Sequence, residues 1–233
     1  MNITINNQSL NDIVYINNVQ GVHDLPPARS LSNAFSVSSG VNYCGTVFDE
    51  RVIVISCTAL MSGGQLLADK MDKLKHLIAP TGEKELIFGA YPERMIKGRY
   101  EGSMNLSQLA QMGMFDLTFY CSDPFYYDRQ IKTASGANFN CENKGNWNSR
   151  KLTMQMTLSG ETRIKNTATG EQLILDGSGD ITVDFEKACI FGGVAVNANR
   201  FYKSGEFFEL VPGTNAITIT GTTATANYRS CYL

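Results

Sequence analysis

Only one stretch of this 233-residue chain has helical periodicity; most other apolar runs alternate with polar neighbours. Leu67, Met71, Leu74 and Ile78 recur at the spacing that puts them on one helical face, with Asp69, Lys70, Asp72, Lys73 and Lys75 on the other. Ser62 and Gln65 have capping-box spacing, and Pro80 stops the run, so a helix is expected over 64–79. A chain with one helix and many period-two runs must bury its apolar surface by sheet packing. The expected class is mostly β.

The pattern changes at Leu117-Thr118-Phe119-Tyr120-Cys121-Ser122-Asp123-Pro124. Leu117, Phe119 and Cys121 alternate as in a half-buried strand, and Asp123-Pro124 ends it, since proline gives no amide hydrogen to a ladder. Before this point, strands are expected around Ile3–Ile5, Ile13–Ile16, Val41–Leu60 with a break at Asp49–Arg51, Glu85–Phe88, Met95–Glu101 and Met114–Ser122. Arg51–Thr58 is apolar on both faces and suggests a strand covered on both sides. Residues 17–40, rich in Asn and Ser with Pro26-Pro27, read as a long loop or arm, and 103–112 as a second loop. These elements describe an α+β first domain, 1–132.

The second domain, 133–233, reads as all-β. After a polar connector from Thr133 to Arg150, strands are expected at Leu152–Leu158, Glu161–Asn166, Gln172–Leu175, Ile181–Phe185, Glu206–Val211, Ile217–Ile219 and Ala224–Leu233. Pro212-Gly213 is a turn needing a positive φ at its second central residue. Strands at this spacing without a helix imply a sandwich or jelly roll.

Composition narrows the function. Charged residues are 18% and net charge is −2. Residues 1–140 hold 11 Lys plus Arg against 13 Asp plus Glu, and the remainder 9 against 9, so neither half has the basic excess that binds phosphates. No apolar run approaches a membrane span, and the start Met1-Asn2-Ile3-Thr4 is unlike a secretory signal. The six cysteines, Cys44, Cys57, Cys121, Cys141, Cys189 and Cys231, lack CxxC spacing, and with two histidines they predict free thiols and no zinc site. No nucleophile elbow, phosphate-binding glycine loop, HExxH or calcium loop is present. Asp184 and Glu186 share one face of a strand, read as solvated rather than as a glycosidase pair. His76 reads as a surface residue of the last helical turn, and Trp147 as part of the polar connector. No catalytic, cofactor-binding or metal-binding residue is expected, and no enzyme activity.

Two segments resemble the distal tail protein (Dit) family of siphophages. One is Phe119-Tyr120-Cys121-Ser122-Asp123-Pro124-Phe125, similar to the family's aromatic–x–Cys–x–Asp–Pro–aromatic strand end. The other is Phe207-Phe208-Glu209-Leu210-Val211-Pro212-Gly213-Thr214-Asn215-Ala216-Ile217-Thr218-Ile219-Thr220-Gly221, similar to the family's Phe-x-Leu-x-Pro-Gly-x-Asn-x-Ile run near the C-terminus. Asn143-Lys144-Gly145-Asn146 is similar to the start of the family's second domain. The resemblance implies a split-barrel-like β-sandwich with one helix, followed by a galectin-like β-sandwich. It further implies a hexameric ring at the virion tail tip, assembled in the host bacterial cytoplasm. The ring would join the tail tube protein to a tail-associated hub protein and anchor receptor-binding proteins, with DNA only passing through its channel. The competing reading is a carbohydrate-binding, lectin-like protein that recognises the host surface.

Overall fold

The computed structural model describes residues 2–33, 42–59, 64–79, 81–102, 113–192 and 199–233, with side chains at 32–33, 42–44, 64–68 and 199 excepted. The chain divides into two compact units, Met1–Tyr126 and Tyr127–Leu233. That division lies a few residues before the expected 132/133.

The first unit contains β1 (Ile3–Ile5), β2 (Gln8–Ser9), β3 (Val14–Gln20), β4 (Ala28–Asn33), β5 (Asn42–Phe48), β6 (Arg51–Ala59), α1 (Gly64–Ile78), β7 (Lys84–Phe88), β8 (Arg94–Tyr100) and β9 (Met114–Cys121). Its main sheet runs β2-β1-β7-β8-β9-β6-β3. The central pair is β6 against β9, in register from Arg51 opposite Cys121 to Thr58 opposite Met114. Ile53, Ile55 and Cys57 of β6 and Leu117, Phe119 and Cys121 of β9 are all fully buried, as the alternation predicts. The expectation that β6 is covered on both faces fails. Val52 is 37% exposed, so β6 alternates between core and surface.

Helix α1 buries Met71, Leu74, Leu77 and Ile78 and leaves His76 exposed. The expected capping box, the side chain of Leu67 and the loop at 103–112 lie outside the described residues. Of the expected long loop or extended arm at 17–40, residues 34–40 lie outside the described residues, 21–27 is irregular, and the rest is strand. Val14–Gln20 extends β3 along β6, and β4 pairs with β5 as a separate two-stranded ribbon. Alternation could not reveal β4, because its sequence ARSLSN holds one large apolar residue.

Strand β10 (Tyr126–Asp128) carries the chain across the division. The second unit then contains β11 (Lys132–Gly136), β12 (Asn138–Asn143), β13 (Leu152–Ser159), β14 (Thr162–Asn166), β15 (Gln172–Leu175), β16 (Ser178–Asp184), β17 (Cys189–Gly192), β18 (Tyr202–Gly205), β19 (Gly213–Thr220), β20 (Ala224–Tyr228) and β21 (Cys231–Tyr232). Two sheets, β11-β20-β13-β16-β17 and β12-β19-β14-β15-β18, enclose one core. Met154, Met156, Ile181 and Val183 from the first meet Ile164, Leu173, Ile217 and Ile219 from the second. This is the expected all-β sandwich.

Three expectations are corrected here. Thr133–Arg150 is not a connector: its first part forms β11 and β12, one in each sheet. Glu206–Val211 is not a ladder strand; the strand is 202–205, and Leu210 makes an isolated bridge to Ser149. Ala224–Leu233 is broken at Arg229-Ser230 into β20 and β21.

Candidate functional site

The Asp-Pro seam of the first unit is built around a buried arginine. Arg51, at the start of β6, is 3% exposed. Its Nε donates to the Pro124 carbonyl at 2.9 Å, and its Nη1 donates to the carbonyls of Gly21 at 3.0 Å and Asp24 at 2.5 Å. The guanidinium also lies 5.2 Å from the centre of the Tyr126 ring. A buried cation is costly unless its donors are used; here carbonyls and a π-face use them. The Tyr126 hydroxyl donates to the Val22 carbonyl at 3.1 Å, and burial pushes its pKa up. Asp123 closes the turn by accepting the Phe125 N–H at 3.3 Å. Gly21 has φ +83°, and a Cβ there would lie 2.1 Å from the Val52 carbonyl oxygen, so only glycine fits. The turn after β3, the start of β6 and the Asp-Pro turn are thereby fixed to one another. In the sequence Arg51 belongs to the charged break at Asp49–Arg51 and the start of the next strand, and nothing there marks it as buried.

In the second unit, buried asparagines perform the same joining. Asn143 donates from Nδ2 to the carbonyls of Trp147 at 2.8 Å and Leu210 at 2.9 Å. Its Oδ1 accepts the N–H groups of Gly145 at 3.0 Å and Cys231 at 3.2 Å. A Cβ on Gly145 would lie 1.6 Å from the Cys231 carbonyl oxygen, which explains a glycine in Asn143-Lys144-Gly145-Asn146. Asn215 is fully buried near the start of β19, just after the Pro212-Gly213 turn, where Gly213 has φ +99°. Its side-chain amide bonds both backbone groups of Val211, donating to the carbonyl at 2.7 Å and accepting the N–H at 3.0 Å. Asn166 donates to the Asn215 Oδ1 at 3.0 Å. The second motif is therefore structural: Asn215 supplies the hydrogen bonds that a neighbouring strand would otherwise give.

The residues singled out for chemistry do not assemble a reactive centre. Asp184 is not solvated as expected. It is 8% exposed and accepts the Lys187 N–H at 3.1 Å, while Glu186 forms an ion pair with Lys151. Tyr202 stacks on Phe207 with centroids 6.3 Å apart, and Phe208 packs against Phe185 at 4.6 Å in the core. Trp147 is 39% exposed, and its backbone N–H donates to the Cys231 carbonyl at 3.2 Å. Cys57, Cys121, Cys141, Cys189 and Cys231 are free thiols; Cys44 lies outside the described side chains. Burial pushes Cys57, Cys121 and Cys141 up to about 12, so they remain protonated and inert at neutral pH. No group of three or more potential metal ligands occurs among the described residues. No described helix is long and apolar enough to cross a membrane.

Comparison with known proteins gives these features a context. Residues 21–121, which run from the Gly21 turn to the end of β9, match the phage tail protein RIFT-related domain. Over the whole chain, the fold is similar to that of a solved distal tail protein. The crystal structure of SPP1 Dit (gp 19.1), described as a paradigm of hub adsorption apparatus in Gram-positive infecting phages, matches with a TM-score of 0.73 at 16% identity, covering 100% of this chain and 99% of that one. A chain of the phage P2 baseplate in its activated conformation with Ca matches with a TM-score of 0.50 at 8% identity, covering 93% of this chain and 90% of that one. No curated protein matches the sequence significantly.

Proposed function

We propose that this protein is the distal tail protein of a long-tailed phage, a non-enzymatic component of the virion tail tip. In this reading residues 1–132 close into a ring of six that joins the tail tube protein to a tail-associated hub protein. Residues 133–233, a galectin-like sandwich, project from the ring and anchor receptor-binding proteins. DNA passes through the channel without sequence-specific contact, and the ring assembles in the host cytoplasm. The observation that supports the proposal is the match of residues 21–121 to the phage tail protein RIFT-related domain, within a chain whose fold aligns along its full length with SPP1 Dit.

The surface of the first unit suits an assembled role. The β4–β5 ribbon pairs with no further strand among the described residues. A two-stranded hairpin alone is marginal in water. This one exposes Leu31 by 42% and Val47 by 41%, while at its root Phe48 meets Phe125 edge-on with centroids 5.6 Å apart. A ring requires a heterologous interface whose rotation closes, and such an apolar ribbon can reach the next subunit. Mass photometry of the protein, with cryo-electron microscopy of the tail tip, tests the proposal. A six-fold ring at the tip is expected. A protein that is monomeric in solution and absent from the tail would refute it.

A further inference from the structure

We infer that the outer face of the β11-β20-β13-β16-β17 sheet binds a neutral oligosaccharide. The register sets five residues in one straight row across the sheet. Ser135 lies opposite Thr225, Thr225 opposite Gln155, Gln155 opposite Thr182, and Thr182 opposite Phe191. Residues directly opposite share a face. Their chain neighbours Ala226, Met154, Met156, Ile181, Val183 and Ile190 are buried in the core, so this row points outward. It lines a groove of about 710 Å³. Four inter-strand spacings make the row about 19 Å long, enough to follow a short sugar chain.

The chemistry of the row selects the ligand. In the adjoining rows, side chains are already engaged: Thr133 donates to Asn227 at 2.9 Å and Thr157 donates to Asp180 at 2.6 Å. The side chains of Ser135, Thr225, Gln155 and Thr182 form no hydrogen bond to the protein among the described residues. The row therefore presents three hydroxyls and an amide, which donate and accept in the manner that sugar hydroxyls require. Phe191 ends the row at 39% exposure and offers a flat apolar face to the C–H side of a pyranose. Among the described residues, Asp180 is the only charged one lining the groove, and no Lys or Arg does, which disfavours phosphate and other anions. A protein partner would need several apolar anchors at the centre of the patch, whereas the centre here is polar.

This inference does not depend on the ring. It is tested on the full-length protein with a glycan array of neutral and acidic oligosaccharides, followed by saturation-transfer NMR and calorimetry with the neutral hits. At least one neutral oligosaccharide should bind. Gln155→Ala should weaken it about fivefold or more, the value of one neutral hydrogen bond, and Phe191→Ala by a similar factor through loss of the ring-face contact. Tyr202→Ala should leave binding unchanged, because Tyr202 is an exposed aromatic on the other sheet. All three variants alter surface residues, and thermal melting checks that each stays folded. Absence of any neutral hit would overturn the inference. So would preference for acidic glycans, or neutral binding that survives both row substitutions.

Discussion

Replacing Asn215 with alanine tests whether a buried side-chain amide stands in for a missing strand. The substitution removes three bonds of ordinary length: donation to the Val211 carbonyl at 2.7 Å, acceptance of the Val211 N–H at 3.0 Å, and acceptance from Asn166 at 3.0 Å. The same Nδ2 also lies 3.2 Å from the Gly213 carbonyl and 3.4 Å from the Cys141 carbonyl, longer contacts that are left out of the sum so that it is a lower bound. Asn166 keeps a second acceptor, the Glu209 carbonyl at 3.3 Å, so it is not stranded. At about 1 kcal/mol for each of the three bonds, the loss is about 3 kcal/mol. For a domain of this size that lowers the melting temperature by roughly 12 °C or more. Trp147, the only tryptophan, lies in the second unit, so its fluorescence in a urea titration follows that unit alone. Asn215→Asp should be at least as damaging, since it keeps the acceptor but turns a charge toward the carbonyls of Val211, Gly213 and Cys141. A loss below about 1 kcal/mol for Asn215→Ala would refute the reasoning, because one ordinary hydrogen bond would then exceed the whole network.

Arg51→Met should destabilise the first unit by about 3 kcal/mol through loss of three carbonyl partners, while the Trp147 transition stays in place; a shifted Trp147 transition would contradict the two-unit division. Thiol counting after denaturation without reductant should give six, and in the native protein at pH 8 Cys57, Cys121 and Cys141 should resist alkylation, as mass mapping would show. Burial raises the Asp128 carboxyl pKa, but hydrogen bonds from Lys132, Ser230 and Tyr232 outweigh it and hold the group below the usual carboxylate range. Its stabilising contribution is therefore full above about pH 5 and fades as pH falls through the folded value; Asp128→Asn should flatten the acid limb of the stability curve, and an unchanged limb would count against the assignment.

The strands visible in the sequence are those with one buried face. In β13, buried Leu152, Met154, Met156 and Leu158 alternate with exposed or half-exposed residues, which is the pattern that period-two reading detects. Strand β11 has no fully buried residue and is held through backbone pairing with β20, so KTASG gives no apolar signal. In β12 the second buried position is Asn143, which looks like a loop residue until its four partners are known. The opposite error arises at Glu206–Val211. Consecutive Phe207 and Phe208 suggest a strand, but Phe208 enters the core and Phe207 packs at its margin, and this stretch is held by the Asn215 amide and the Leu210 bridge. The family motifs were legible as patterns, whereas the Arg51 clamp behind one of them was not. The Ser135–Phe191 row depends on register, which no single strand of the sequence encodes.

The pairing of β6 with β9 also sets a timetable for synthesis. β6 is complete at Ala59, yet its partner begins only at Met114. The carbonyl of Pro124 that receives the Arg51 Nε emerges later still. At about 5–20 residues per second on the ribosome, the nascent chain keeps the far edge of β6 unpaired for several seconds. During that interval two chains on neighbouring ribosomes can zip together through the Val52-Ile53-Val54-Ile55 segment. Yield of soluble protein should thus depend on how quickly translation crosses residues 60–124, and slow codons there would favour aggregates over folded protein.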